Sequence, residues 1–192
     1  MQTTIGGYAI DNGRVLRNEG TAILTGGIEL NRVNDGGAGR IDNGEGALFD
    51  IKTFNTSIFA TAHDDLNSRP GFPAFNNSGT LRRSSGGTYT IGVPLNNTGR
   101  IELVTGNPTL SGGSTNSGSN ELADDTTLRL AGGTHAVNTG TTFTGLGTVA
   151  LAGTGTVLQL NVPTTLASNF SMAGGTIRGG DLTLLGDVVM SI

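Results

Sequence analysis

The chain has 192 residues, including 33 glycines and 5 prolines, and carries a formal net charge of −4. The glycines follow no strict Gly-X-Y triplet, which excludes collagen, and a hydrophobic fraction of 35% with only 14% charged residues is untypical of disorder. Cysteine is absent, no apolar run is long enough for a membrane helix, and one adjacent basic pair, Arg82-Arg83, is too little for nucleic-acid binding. Abundant β-formers and turn residues predict an all-β chain.

The first predicted elements share a turn signal that opens into a short alternation of apolar and polar residues. It occurs at residues 18–23, 76–81 and 96–101, and the last two copies read NNSGTL and NNTGRI. A period of about 20 residues indicates a solenoid, in which each repeat stacks on the one before it. Glycine and asparagine suit the corners of such coils because both tolerate positive φ. Asparagines at equivalent corners can form an amide ladder, and we expect one that includes Asn77 and Asn97.

Two regions interrupt this pattern. Residues 52–74 contain the run Pro70-Gly71-Phe72-Pro73, which does not fit a regular strand, and we predict a loop or short helical excursion there. Residues 111–120 read SGGSTNSGSN, and this composition predicts a flexible loop. That loop would separate less regular N-terminal coils from more regular C-terminal coils within one rod spanning residues 1–192.

The C-terminal part divides into blocks of 22 residues at 126–147, 148–169 and 170–191, each with about three short alternating segments. Three strands per turn and 20–22 residues per coil predict a parallel β-helix, which we expect to be right-handed. The residues expected to point inward are apolar: Leu128, Leu130, Val137, Phe143, Val149, Leu151, Val157, Leu160, Leu166, Phe170, Met172, Ile177, Leu182, Leu184 and Val188.

An antiparallel sandwich is the competing interpretation. Gly-Gly pairs such as those at 26–27, 86–87, 112–113, 132–133 and 174–175 could each form a hairpin turn. Hairpin proteins do not require a sequence period of 20–22 residues, however, and this favours the β-helix.

Histidines and acidic residues are the candidates for chemistry. His63-Asp64-Asp65 is the densest polar cluster and has the residue types of a general acid–base pair or a metal site, but a solvated loop with a helix N-cap is the preferred interpretation. His135 lies on an alternating segment and is expected to face solvent. Adjacent acids, as in Asp124-Asp125, point to opposite faces of a strand and do not act together on one substrate.

Calcium is the other ligand class that the acids suggest, because it binds several oxygen atoms. The Ca²⁺-binding nonapeptide of stacked β-rolls is not matched, since its nearest approach, residues 36–42, has Arg40 where an aspartate is needed. The sequence therefore predicts no catalytic, cofactor or metal site. Acidic turns are the default interpretation of the remaining candidates, Asp35, Asp42, Glu45 and Asp50.

The two ends of the chain suggest self-association. The segment from Leu182 to Ile192 is among the most apolar in the sequence, and neither end shows a helix that would cap a solenoid. We expect either a piece of a longer rod or head-to-tail contact between the N-terminal coil of one copy and this segment of another. Contacts of that kind do not close, and they propagate as filaments.

The runs FNNSGTLRRSSGGTYTIGVPLNNTGRIEL, residues 75–103, and NPTLSGG, residues 107–113, resemble a repeat of large bacterial surface proteins. These are the filamentous-haemagglutinin-like and autotransporter-passenger β-helices. The resemblance implies an extracellular or cell-surface location and an adhesive or scaffolding role, with glycans or cell surfaces as possible contacts. We therefore expect a non-enzymatic structural protein, with a polysaccharide-processing or glycan-binding β-helix as the alternative.

Overall fold

The computed structural model describes residues 2–5, 8–33, 36–53, 55–64 and 66–191, and for 2–5 the backbone alone. These residues form 26 short strands and no helix. The strands wind into about nine coils of roughly 21 residues, with parallel pairing between successive coils, so the fold is a β-solenoid. This confirms the parallel β-helix and excludes the sandwich.

Each coil contributes one strand to each of three parallel sheets. Sheet 1 contains β1 (Gln2–Ile5), β4 (Thr21–Leu24), β7 (Leu48–Ile51), β10 (Thr80–Arg83), β13 (Arg100–Leu103), β16 (Ser119–Leu122), β19 (Thr142–Thr144), β22 (Thr164–Leu166) and β25 (Leu182–Leu184). Sheet 2 contains β2 (Tyr8–Ala9), β5 (Ile28–Glu29), β8 (Thr56–Phe59), β11 (Thr88–Ile91), β14 (Asn107–Leu110), β17 (Thr127–Ala131), β20 (Thr148–Ala152), β23 (Asn169–Ala173) and β26 (Val188–Met190). Sheet 3 contains β3 (Val15–Asn18), β6 (Arg40–Asn43), β9 (Ala74–Asn77), β12 (Leu95–Asn97), β15 (Ser114–Asn116), β18 (Thr134–Val137), β21 (Val157–Leu160) and β24 (Thr176–Gly179).

The core is a set of side-chain rows that run along the axis of the rod. Alternation with a period of two sends every second residue inward, and the parallel register places equivalent residues of successive coils above one another. One row in sheet 2 consists of Ile28, Ile58, Ile91, Leu110, Leu130 and Leu151, all buried. The rows of the three sheets meet in one continuous hydrophobic cluster.

The inward assignments in the C-terminal half are largely confirmed. Nine of the fifteen residues are buried, and Met172, Ile177, Leu182 and Leu184 pack half-buried against the core near its end. Val188 continues the row of Phe170 but is 45% exposed. Val157 was assigned wrongly: the buried neighbour is Leu158, which is in register with His135.

An asparagine ladder fixes the corner between sheet 3 and sheet 1. The Nδ2 of each asparagine donates to the Oδ1 of the next, over distances of 2.7–2.9 Å from Asn18 to Asn43, Asn77, Asn97 and Asn116. The predicted pair Asn77 and Asn97 lies inside this ladder and is confirmed. The Nδ2 groups of Asn18, Asn43, Asn77 and Asn97 also donate to backbone carbonyls, as Nδ2 of Asn77 does to the oxygen of Arg100 at 3.1 Å.

Along the chain, a glycine comes shortly after each ladder asparagine, because the coils stack too closely at this corner to leave room for a side chain. A Cβ at Gly99 would lie 2.1 Å from the carbonyl oxygen of Gly79, and one at Gly118 would lie 1.9 Å from that of Gly99. The predicted reason, positive φ, applies at other corners such as Gly113 and Gly132, where φ is 79°. The repeated NN[ST]G motif thus combines an outward asparagine, a ladder asparagine, a polar turn residue and a close backbone contact.

Both predicted interruptions need correction. Residues 52–74 are not one loop, because β8 within them pairs with β5 and β11; the excursion is restricted to residues 60–73, and its described part contains no helix. Phe72 anchors it to the rod, buried with the guanidinium carbons of Arg40 and Arg69 at 4.7 and 4.5 Å from its ring centre. Residues 111–120 are not a flexible loop either, because β15 and the start of β16 lie there as ordinary parts of a coil.

Candidate functional site

The predicted histidine–aspartate cluster lies in the excursion and does not gather into a site. The His63 Nε2 is 3.3 Å from the carbonyl oxygen of Arg32, and Asp64 is exposed. Asp65 lies outside the described residues. Among the residues that the structure describes, no three histidine or acidic side chains come close enough together to hold a metal ion.

The candidate calcium ligands serve as ion-pair and turn partners. Asp42 contacts the Nε of Arg40 at 2.8 Å and accepts a hydrogen bond from Asn76 at 2.8 Å. The buried carboxylate of Asp50 accepts a hydrogen bond from the hydroxyl of Ser84 at 2.7 Å. Asp124 caps its own turn by accepting from the backbone N–H of Asp125. Glu45 is exposed in a turn, and Asp35 lies outside the described residues.

The adjacent arginines point to opposite faces of β10. Arg82 faces outward, and its Nε donates to Glu102 at 2.6 Å, which raises the pKa of Arg82. Arg83 points into the core, is 2% exposed, and donates to backbone oxygens of Ile51 and Gly86 at 3.1 and 2.6 Å. Both guanidinium groups are therefore engaged within the rod.

His135 does not face solvent as predicted; it is 2% exposed in the core. Its row in sheet 3 reads Phe75, Leu95, Ser114, His135 and Leu158 along the axis. The Nδ1 of His135 lies 2.9 Å from the hydroxyl of Ser114 beside a cavity of about 20 Å³. Burial lowers the pKa of His135, and a Gly132 backbone group opposes this only in part. The imidazole is therefore enclosed within a row that is otherwise largely apolar.

The free edge at β24, β25 and β26 exposes a group of apolar side chains. Leu185, Val188, Val189 and Met190 expose 45–68% of their surface. These strands pair on one side with the preceding coil, and the described residues place no strand on the other side. Exposed edges of this kind offer unpaired backbone N–H and C=O groups to another β-strand.

The opposite edge of the rod is formed by β1, β2 and β3. Tyr8 is 58% exposed there, and Leu16 is half-buried above the row of Ile41. The Oδ1 of Asn18 accepts a hydrogen bond from the backbone N–H of Gly20 at 3.2 Å. Both ends of the rod therefore present apolar inner rows next to unpaired strand edges.

The described part of sheet 2 does not form the flat threonine array that an ice- or surface-binding protein requires. On the outer face of sheet 2, Thr88 and Thr90 are followed in register by Asn107 and Thr109. The next coil interrupts this row because Arg129 is in register with Thr109.

No family model, curated protein or solved structure matches this chain. The resemblance to bacterial surface β-helices therefore stays a prediction based on the quoted runs. None of the described residues form a helix that is long and apolar enough to cross a membrane.

Proposed function

We propose that this chain is a non-enzymatic structural protein that forms an extracellular or cell-surface fibre by head-to-tail stacking. The observation that carries the proposal is the apolar character of the inner rows up to their last members. Leu166 is followed by Leu184, Phe170 by Val188 and Met172 by Met190, although nothing among the described residues covers these last side chains. A further coil would bury them and would pair the free strand edges.

We propose that the N-terminal coil of a second copy binds to the free edge of β24, β25 and β26. One copy contributes 26 strands to three sheets, so sheet 3 has one strand fewer than the other two. A seamless junction therefore pairs β1 with β24, β2 with β25 and β3 with β26, and it rotates each copy by one third of a turn. Because neighbouring strands are about 4.8 Å apart, the axial rise is about 42 Å per copy, and the structure repeats after about 125 Å.

Apolar side chains lie on both of the edges that face each other across this junction. β25 brings Leu184 towards the strand that contains Tyr8, and β26 brings Val188 towards the strand that contains Leu16. Apolar burial is the main source of affinity for such a contact, and in-register backbone pairing supplies its direction. A non-closing contact of this type yields filaments rather than closed oligomers.

Electron microscopy and sedimentation velocity of the 192-residue chain test this function. We expect filaments with a rise of about 42 Å and a rotation of one third of a turn per copy. Met190→Lys places a charge at a position that is 66% exposed in the single copy, and we expect it to leave thermal stability unchanged while abolishing filaments. Leu146→Lys, at a side chain that is 69% exposed away from both edges, is the matched control and should still assemble.

Two results would refute the stacking. One is a wild-type chain that stays monomeric throughout the concentration series. The other is a Met190→Lys variant that assembles as readily as the Leu146→Lys control.

A further inference from the structure

A shallow trough lies on the outer face of sheet 2, far from the two edges used in stacking. It has a volume of about 500 Å³, and β8, β11 and the residues beside them line it. The period of two places Ser57 and Phe59 outward while Ile58 is buried, and it places Thr88 and Thr90 outward while Tyr89 is buried. Because β8 and β11 are neighbours, these outward side chains form one continuous surface.

In the trough, the exposed aromatic ring of Phe59 lies beside Gly92, which has no side chain. Phe59 is 39% exposed, and the register of β8 and β11 places Gly92 next to it. A Cβ at Gly92 would meet only ordinary contacts, at 3.5–3.7 Å, the farthest of them with Cβ of Phe59. A larger residue therefore fits the backbone at position 92, and glycine leaves the space beside the ring open.

The remaining lining consists of uncharged hydrogen-bonding groups. Asn55, Thr88, Thr90 and Ser111 lie around the ring, and none of the described residues that line the trough is acidic or basic. The Oδ1 of Asn55 accepts a hydrogen bond from the hydroxyl of Thr88 at 3.1 Å. Hydroxyl and amide groups around an apolar ring match a ligand with many hydroxyls, an apolar C–H face and no net charge.

A second depression of about 210 Å³ adjoins the other side of Phe59 and is lined by Tyr8 and Arg32, among others. Glu29 within it pairs with Arg32 at 4.0 Å, so the two charges offset each other. The strands of Tyr8 and Phe59 are two coils apart, which separates the two aromatic residues by about 10 Å along the axis. Tyr8 is in register with the buried Ile28 on the edge strand β2, so its ring belongs to the stacking edge and not to the trough.

We propose that this surface, from Phe59 to Ser111, binds a neutral oligosaccharide that lies along the rod. The ring of Phe59 stacks on the C–H face of one sugar, and the side chains of Thr88, Thr90 and Ser111 bond its hydroxyls. Binding here does not require filament formation, because the trough belongs to a single copy.

Titration of ¹⁵N-labelled protein with four neutral hexasaccharides tests the site: β-1,4-glucan, β-1,3-glucan, α-1,4-glucan and β-1,4-mannan. An oligogalacturonate of the same length serves as the charged comparison. We expect at least one neutral hexasaccharide to bind and to shift the amide signals of β8 and β11. Phe59→Ala should weaken this binding about tenfold, because stacking on an aromatic ring contributes on the order of one factor of ten.

Three further variants separate binding from folding. Gly92→Val fills the open space and should abolish binding without lowering the thermal midpoint, whereas Phe59→Tyr keeps the ring and should retain binding. Leu146→Ala removes an exposed apolar side chain elsewhere on the rod and should bind like the wild type. The proposal is overturned if none of the neutral hexasaccharides binds, if the oligogalacturonate binds more tightly than all of them, or if Phe59→Ala leaves binding unchanged.

Discussion

Removal of one asparagine from the ladder should destabilise the whole rod, and Asn77→Ala is the sharpest test. Asn77 accepts from Nδ2 of Asn43 and donates to Oδ1 of Asn97, both at 2.7 Å. After the substitution, Asn43 still donates to the carbonyl oxygen of Thr80 at 3.1 Å, but the buried Oδ1 of Asn97 loses its ladder donor. A stranded buried acceptor costs about 1–3 kcal/mol, and the small cavity adds about 1 kcal/mol. We therefore expect a loss of about 2–4 kcal/mol in the free energy of unfolding.

The measurement is equilibrium unfolding in guanidinium chloride, followed by far-UV circular dichroism. The midpoint should fall while the slope stays constant, since the surface exposed on unfolding does not change. Asn161→Ala is the matched control because Nδ2 of Asn161 donates to Oδ1 of Asn138 over the same 2.7 Å, but at an exposed position. We expect the control to lose less than about 1 kcal/mol. Equal losses in the two variants would show that the buried ladder is not an important source of stability.

Two further predictions concern the core and the corners. Burial lowers the pKa of His135, so on acidification the unfolded chain binds a proton at a higher pH than the folded chain does. The free energy of unfolding should therefore decrease as the pH falls below about 6.5, by at most about 1.4 kcal/mol per pH unit. Urea unfolding between about pH 5 and 7 should show this slope in the wild type and in His63→Gln, but not in His135→Leu, whose new side chain matches Leu158 in the same row. Gly99→Ala should destabilise the rod severely, because its Cβ would lie 2.1 Å from a carbonyl oxygen, whereas Gly86→Ala has open space and should be nearly neutral in a thermal melt.

The repeat was recognisable in the sequence because its corner has a strict chemical requirement. The second asparagine of NN[ST]G must reach the amides of the coils above and below, and the glycine must allow close backbone contact. Two local requirements at fixed spacing produce a visible motif. Asn116 belongs to the same ladder but was not predicted, since it lies in a stretch whose serines and glycines are typical of a flexible loop. In a solenoid, corner residues make up a large part of each coil, so such composition does not exclude regular structure.

The prediction that His135 faces solvent was wrong because it relied on the polarity of the side chain instead of on the alternating pattern. Val137 was correctly assigned inward, and a period of two places His135 on the same side. The polarity of the imidazole suggested solvent instead, but Ser114 in the preceding coil supplies a partner at 2.9 Å. That partner is 21 residues away, so only the register between coils reveals it.

The candidate binding surface could not be predicted for a related reason. Phe59 and Gly92 are separated in the sequence by the excursion at residues 60–73, and they become neighbours only through the pairing of β8 with β11. A single sequence gives no indication that a strand before the excursion pairs directly with one after it. The apolar edge strands, in contrast, were predicted because their alternation lies within one short segment.

The ladder explains how the rod accommodates such an insertion without losing its register. The bond from Asn43 to Asn77 spans 34 residues and the bond from Asn77 to Asn97 spans 20, yet both are 2.7 Å long. The extra residues therefore leave the solenoid between β8 and β9 and return to the same lattice of strands. Directional amide bonds at the corner and apolar rows inside set the register of the coils, and the excursion at residues 60–73 leaves the ladder distances unchanged. Chemistry can therefore vary on the outer face of sheet 2 while the interior that stacks the coils stays constant.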